Sequence, residues 1–249
     1  MAEPGPDVAR NLESVRLRIA AAARRSGREP ESVRMVAVTK NQPLDRARRA
    51  YALGVRDFGE NRVQEALPRK AALADLEGIR WHMIGHVQSR KARDVAPGFA
   101  LVHSVDRLKI AQALDRHAAE AGRRLQVLLE CNLAGETTKE GWALAEGNAW
   151  ESILPTFEAV CALPHLEVRG LMTMAPWTER PETARPVFVR LRELQAFLTT
   201  RLPGWWAELS MGMTDDFEVA IEEGATIVRI GRAIFGERQG LREESPVVG

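Results

Sequence analysis

Between Asp7 and about Arg25, the apolar positions Val8, Leu12, Val15, Leu17, Ile19 and Ala22 recur near helical spacing, which predicts a surface amphipathic helix ended by Ser26-Gly27. The period then changes. Short apolar or β-branched runs follow at Val33–Lys40, Arg56–Gly59, Arg80–Gly85, Ala100–Val105, Leu125–Asn132, Glu167–Met174, Ala207–Met211 and Thr226–Ile230. Helical stretches separate them, most clearly Pro43–Leu53, Asn61–Leu76, Asp106–Ala121, Trp150–Leu163, Pro181–Leu202 and Asp215–Glu223. Gly54, Gly78, Gly122, Gly204 and Gly224 stand where a helix would stop before the next strand.

Eight strands alternating with helices in 249 residues predict an α/β fold, a (β/α)8 TIM barrel with an additional N-terminal helix. An open doubly wound sheet suits a shorter series and usually brings a Gly-rich first turn, which this chain lacks. The whole chain, 1–249, reads as one domain with a flexible tail at 243–249.

Charge narrows the partners. Lys plus Arg is 35 against 34 for Asp plus Glu, a net charge of +1, which argues against a nucleic-acid footprint. No apolar run approaches the ~18 residues of a membrane span, and the N-terminus lacks the apolar core of a secretory signal. Cys131 and Cys161 lie in apolar contexts without ligand spacing and read as reduced thiols of a cytoplasmic protein.

Barrel enzymes and binders place reactive groups at the C-terminal ends of their strands. Here those ends carry Lys40, Glu60-Asn61, His86, Ser104, Asn132, Met172–Met174, Ser210–Met213 and Gly231-Arg232. The chain has five lysines; Lys70, Lys91 and Lys109 read as charged-helix positions and Lys139 as a loop position, which leaves Lys40 alone at a strand end. By strand alternation Lys40 shares a face with Val36 and Val38. An amine in an apolar barrel mouth loses its proton more readily than one in water and becomes a nucleophile for aldehydes. The alternative is a lysine that snorkels to solvent.

The loops after the last two strands are where such barrels commonly hold phosphate. Ser210-Met211-Gly212-Met213 runs into a helix, and Arg229-Ile230-Gly231-Arg232 adds a second glycine with nearby amides. The alternative is an ordinary strand-to-helix turn capped by Asp215 and Asp216. A lysine amine beside a phosphate cradle suggests a phosphorylated aldehyde, with pyridoxal 5′-phosphate (PLP) as the obvious candidate. Arg229, between Val228 and Ile230, would then face the pyridine nitrogen; alternatively it pairs with a barrel carboxylate such as Glu60. His82 and His86 are expected to share a face, as packed histidines or, for His86, as a base.

The segments VAVTK (36–40), FGENRVQE (58–65), WHMIGHVQSRKAR (81–93), HSVDRLKIAQAL (103–114), GLMTM (170–174), LSMGMTDDFEVAIEEGAT (209–226) and VRIGRAIFG (228–236) resemble, in order and over nearly the whole chain, the YggS/PROSC family of PLP homeostasis proteins. These resemble the isolated barrel domain of alanine racemase. The resemblance implies a Schiff base on Lys40, phosphate held by Ser210 and the amides of Gly231 and Arg232, Arg229 at the pyridine nitrogen and Asn61 along the ring. Many relatives carry Thr where this chain has Arg232. The stretch Trp142–Trp150 looks divergent.

The resemblance also implies a PLP carrier without established turnover; apo PLP-dependent enzymes are the expected acceptors, and a monomer or weak dimer the expected state. A racemase needs a second acid/base across the cofactor. The one tyrosine, Tyr51, falls in a helix away from the rim. Two other readings stay in view: a PLP-dependent amino-acid racemase, and a cofactor-free Schiff-base aldolase. Lys139 is a candidate second amine for transfer, or a solvated loop lysine.

Overall fold

The structure, a computed structural model, describes residues 7–136, 140–146, 149–204 and 206–236. Lys139 and the tail at 243–249 lie outside the described residues. The strands are β1 (Arg34–Val38), β2 (Asp57–Glu60), β3 (Arg80–Met83), β4 (Leu101–Val105), β5 (Leu125–Asn132), β6 (Trp142–Ala143), β7 (Leu166–Met172), β8 (Glu208–Ser210) and β9 (Ile227–Ile230). All pairings are parallel. They run β1-β2-β3-β4-β5-β7-β8-β9, and β9 returns to β1, so eight strands close a barrel while β6 hangs on the end of β5.

Each barrel strand is followed by a helix: α2 (Leu44–Ala52), α3 (Val63–Ala72), α4 (Ala92–Val95), α5 (Leu108–Glu120), α6 (Ala149–Cys161), α7 (Arg185–Thr199), α8 (Phe217–Glu222) and α9 (Arg232–Phe235). The expected barrel is therefore present. The helix after the third strand escapes the sequence because it is one turn long, preceded by a 3-10 turn at Ser89–Lys91. Gly122 and Gly224 end α5 and α8 with φ of 64° and 99°, the left-handed conformation that lets the chain reverse into the next strand.

The additional helix is α1 (Val8–Arg25), capped by the Asp7 carboxylate, which accepts from the amides of Ala9 and Arg10. Its buried face is Val8, Leu12, Val15, Ile19, Ala22 and Ala23. It packs on α8 and α9, with Asn11 donating to the Ile234 carbonyl, while Arg28, just beyond its end, donates to those of Ile221 and Ala225. Leu17, expected on the apolar face, is 66% exposed.

Two apolar regions result from strand alternation. The larger lies between the strands' outer faces and the helices and includes Phe58, Phe99, Phe157, Phe188, Phe217 and Phe235. The smaller fills the lumen with Val36, Leu101, Leu128, Met172 and Ile227, and Met174 packs against it. Only part of the lumen is apolar, since buried polar side chains occupy the rest.

Candidate functional site at the barrel mouth

Lys40 follows β1 in a tight turn closed by the Gln42 amide donating to the Thr39 carbonyl (3.0 Å). Asn41 adopts φ 57°, which asparagine tolerates better than most side chains. Strand alternation puts Lys40 on the side of lumen-facing Val36, and the residue is half-buried. The register of β1 with β9 sets its neighbours: Val36 is opposite Arg229, and a Cβ on Gly231 would lie 3.4 Å from that of Val38. Arg229, Gly231 and Lys40 thus rise in succession towards the mouth along two adjacent strands.

Arg229 is buried, and its Nη1 donates to the Ser210 carbonyl (2.8 Å) and hydroxyl (2.6 Å), while Nη2 donates to the Thr173 carbonyl (3.0 Å). Burial lowers its pKa to about 10, and Asp216 and Glu130 work against that shift. Glu60, considered above as a partner, faces the other side of its strand. Its Oε1 accepts from the Thr39 hydroxyl and lies 3.0 Å from Arg69 Nε on α3. Burial raises the Glu60 pKa.

Ser210, expected at the phosphate, is engaged inside the barrel. Its Oγ is 2.8 Å from His103 Nδ1; His103 Nε2 is 2.9 Å from His82 Nδ1; His82 Nε2 is 2.9 Å from Asp57 Oδ1. Burial opposes ionisation of Asp57, but bonds from Arg80 and His82 outweigh it and hold the carboxyl well below its usual range. Burial lowers the pKa of both histidines, so each is neutral near pH 7.

These facts orient every hydrogen. An ionised Asp57 only accepts, so His82 carries its proton on Nε2 and accepts at Nδ1. His103 therefore carries its proton on Nε2 and accepts at Nδ1, and the Ser210 hydroxyl donates to it. That hydroxyl has one proton, and His103 receives it, so the Ser210 side chain has no donor left for an anion.

The mouth offers another hydroxyl. Thr214 Oγ1 lies 3.4 Å from the amide of Ala233, at the start of α9 and two residues past Gly231. The aspartates beside it are both held: Asp215 by the Arg232 guanidinium, and Asp216 Oδ1 by the Met213 amide at 2.6 Å. Gly212, with φ 89°, could not be larger here, because a Cβ would sit 2.6 Å from that of Ala220 and 2.9 Å from the Phe217 Cα.

Asn61, at the end of β2, lines a rim cavity of about 270 Å³ with Arg62, Gln64, His86, Gln88 and Lys91. His86 lies beyond β3, so it does not share the strand face of His82. Its Nδ1 is 2.9 Å from Asp106 and 3.6 Å from Glu140. Arg107 donates to both Asp106 oxygens at 2.8 Å, so that carboxylate is neutralised by a cation already. Tyr51 is remote from the rim, its hydroxyl donating to the Glu77 carbonyl and its ring covered by Arg56 at 3.9 Å.

Of the residues singled out in the sequence, the structure brings Lys40, Arg229 and Gly231 to one wall with Arg232 next in the chain; Asp57, His103, Glu130 and Thr214, which the sequence did not single out, lie in the same lumen and mouth. Glu130, inside the mouth on β5, has its pKa raised to about 7 by burial and by Asp106, with Arg229 pulling the other way. The signal for His103 was present: it alternates with Leu101 and Val105 on a strand whose residues are all buried. Lys70, read as a charged-helix position, is half-buried against Phe99 and bonds the Gly98 carbonyl, and burial lowers its pKa to about 8. Cys131 and Cys161 are free thiols, and burial raises the pKa of each. Among the described residues no helix is long and apolar enough to cross a membrane.

Among the described residues, the mouth brings together the Lys40 amine, the buried Arg229 guanidinium, the Thr214 hydroxyl and the backbone of a glycine-bearing turn. This set suits a ligand with an aldehyde, a ring-nitrogen acceptor and a phosphate better than it suits a metal ion.

The chain matches the family model described as "Alanine racemase, N-terminal domain" over residues 11–239. It is 46% identical over 231 residues to the pyridoxal phosphate homeostasis protein of Pseudomonas aeruginosa, covering 93% of this chain and 96% of that one. To the protein of the same name from Aquifex aeolicus it is 41% identical over 228 residues, covering 92% and 97%. PipY of Synechococcus elongatus PCC7942, solved with PLP bound, superimposes with a TM-score of 0.79 at 38% identity, covering 92% of this chain and all of PipY.

Proposed function

The chain belongs to the family of pyridoxal phosphate homeostasis proteins, built on the alanine racemase N-terminal domain, and on that premise we propose that it binds PLP at the barrel mouth and serves intracellular PLP supply without turnover of its own. When bound, the group supplies an aldehyde that links reversibly to amines. Lys40 would hold that aldehyde as a Schiff base. Arg229 would donate to the pyridine nitrogen, and Asn61 would line the ring. The backbone amides of Gly231 and Arg232, with the Thr214 hydroxyl, would hold the phosphate. Ser210 takes part through Arg229, and its hydroxyl does not serve the phosphate.

The observation that carries this reading is the β1–β9 register, which stacks Arg229, Gly231 and Lys40 on one wall of the barrel. PipY, alike over its whole length, holds PLP in the same fold.

Two features support a carrier over a racemase. The one tyrosine is tied down on the outer surface, and an arginine at the ring nitrogen weakens the electron sink that carbanion chemistry uses. The described group best placed to act as a second acid/base is His86 with Asp106. Racemisation of alanine that is lost in both Lys40→Ala and His86→Asn would favour the enzyme reading.

The direct test is borohydride reduction of the PLP-treated protein, followed by peptide mapping. A pyridoxyl-phosphate adduct on Lys40 is expected. An adduct only on Lys70 or Lys139, or none at all, overturns the assignment. Release of PLP from the loaded protein to an apo-enzyme, faster than from free buffer exchange alone, is the expected sign of delivery.

A further inference from the structure

Arg229 is a buried cation with no carboxylate in contact among the described residues; Asp216 and Glu130 act on it only at a distance. Its guanidinium is bonded instead to two carbonyls and one hydroxyl, all neutral. A buried cation needs its counter-charge supplied from somewhere.

The hydrogen directions derived above show where part of it comes from. The Ser210 hydroxyl donates to His103, His103 donates to His82, and His82 donates to the ionised Asp57. Every bond in this chain points the same way, and each is 2.8–2.9 Å long. Bonds aligned towards an anion polarise one another, which makes the oxygen at the far end a stronger acceptor. That oxygen is the one receiving Arg229 Nη1 at 2.6 Å. The anion sits at the other end of the lumen, at the first residue of β2, where it is clamped by Arg80.

We propose that Asp57, His82 and His103 are positioning residues that relay the charge of Asp57 through Ser210 to Arg229, and so set how strongly Arg229 donates to the ring nitrogen of a bound cofactor. The proposal rests on the reading of the mouth as a PLP site. The groups bearing on the relay are Arg80 and Arg34 at its lower end, and Arg229, Asp216 and Glu130 at its upper end.

A single-signed chain of this kind makes a sharp distinction between charge acting through space and charge acting through bonds. Asp57→Asn removes the anion. His103→Leu leaves the anion in place but cuts the chain. His103→Gln restores it, because the Gln amide can donate to His82 and accept from Ser210 at once.

The first measurement uses the PLP-free protein: the ¹⁵N shifts of His82 and His103 near pH 7. Both are expected as neutral rings protonated on Nε2. A charged ring, or a proton on Nδ1 of either, overturns the relay whatever the mouth binds. The second measurement is the pH titration of the visible chromophore in the PLP-loaded protein. Asp57→Asn and His103→Leu are each expected to lower its midpoint by ~0.5 unit or more, because a less compensated Arg229 disfavours a further positive charge at the ring. His103→Gln is expected to return it to the wild-type value.

A midpoint that moves in Asp57→Asn but not in His103→Leu overturns the proposal, since the charge would then act directly through space. Should either variant fail to fold, His82→Gln against His82→Leu repeats the comparison one link further along. Wild-type protein that takes no PLP on Lys40 overturns the reading of the mouth and the target of the relay with it, while the histidine tautomers report on the chain itself.

Discussion

Arg229 holds Ser210 at two points, its carbonyl at 2.8 Å and its hydroxyl at 2.6 Å, through a single guanidinium nitrogen. The serine next to the proposed phosphate is therefore part of the barrel's interior, and the threonine four residues later is the hydroxyl at the rim.

That division gives opposite expectations for two similar substitutions. Ser210→Ala leaves His103 without its donor and should cost about 1–3 kcal/mol in urea unfolding, as for a buried group left unpaired. Thr214→Val should leave stability within ~0.5 kcal/mol and weaken PLP retention ~10-fold, the loss of one bond to a charged ligand. Equilibrium dialysis of both variants checks the assignment, and the reverse ranking in PLP retention would return the phosphate to Ser210.

Glu130 should make the PLP-free protein lose stability as pH rises. Its carboxyl titrates near its ordinary value of ~4.3 when unfolded and at about 7 when folded, chiefly because of burial. The favourable contribution of the protonated form is thus complete below the unfolded value and disappears as pH climbs through about 7. Glu130→Gln stays neutral throughout, so its stability relative to wild type should improve between pH 5 and pH 8 by on the order of 2 kcal/mol. Denaturant titrations at the two pH values measure this, and a constant difference would contradict it.

Gly212→Ala should be costly. The added carbon meets Ala220 and Phe217 at 2.6 and 2.9 Å, in a backbone at φ 89°. A loss of ~2–4 kcal/mol is expected from the overpacking and the left-handed strain together, seen as a fall in the urea midpoint. A neutral result would mean that α8 can retreat from the loop.

Asn41 tests whether the turn aims Lys40. Asn41→Gly, at φ 57°, should be neutral within ~0.5 kcal/mol, whereas Asn41→Val should lose ~1–2 kcal/mol. The valine variant should also load PLP more slowly, followed by the rate at which the chromophore develops. Equal loading rates would show that the lysine finds its place without the turn.

The contrast between Lys40 and His103 shows what a sequence of this kind discloses. Lys40 could be singled out as a candidate because its evidence is local: a run of alternating apolar residues, then an amine where the strand ends. Arg229 could be singled out in the same way, as a cation between Val228 and Ile230. The partners of both depend on which strands meet across the lumen. His103 touches Ser210 over a separation of 107 residues, and Asp57 touches His82 over 25. No local pattern encodes those encounters.

The same reason explains the errors. The apolar stripe of α1 was legible, but Leu17 lies off it by one position and ends in solvent. Glu60 looked available to Arg229 until the pleat of β2 turned it outward to Arg69. The resemblance to a known family implied the phosphate for Ser210, and the hydroxyl's bonds to His103 and Arg229 depend on strands that no local pattern brings together.

The pairing of β1 with β9 has a consequence in time. Lys40 leaves the ribosome before its partners: the segment bearing Arg229 and Gly231 follows about 190 residues later, roughly 10–40 s at ordinary rates of synthesis. Until then the nascent chain carries an amine with no wall opposite it. A ligand that needs both strands cannot be captured before β9 has been made and has closed against β1, so any such ligand has to be acquired by the completed barrel.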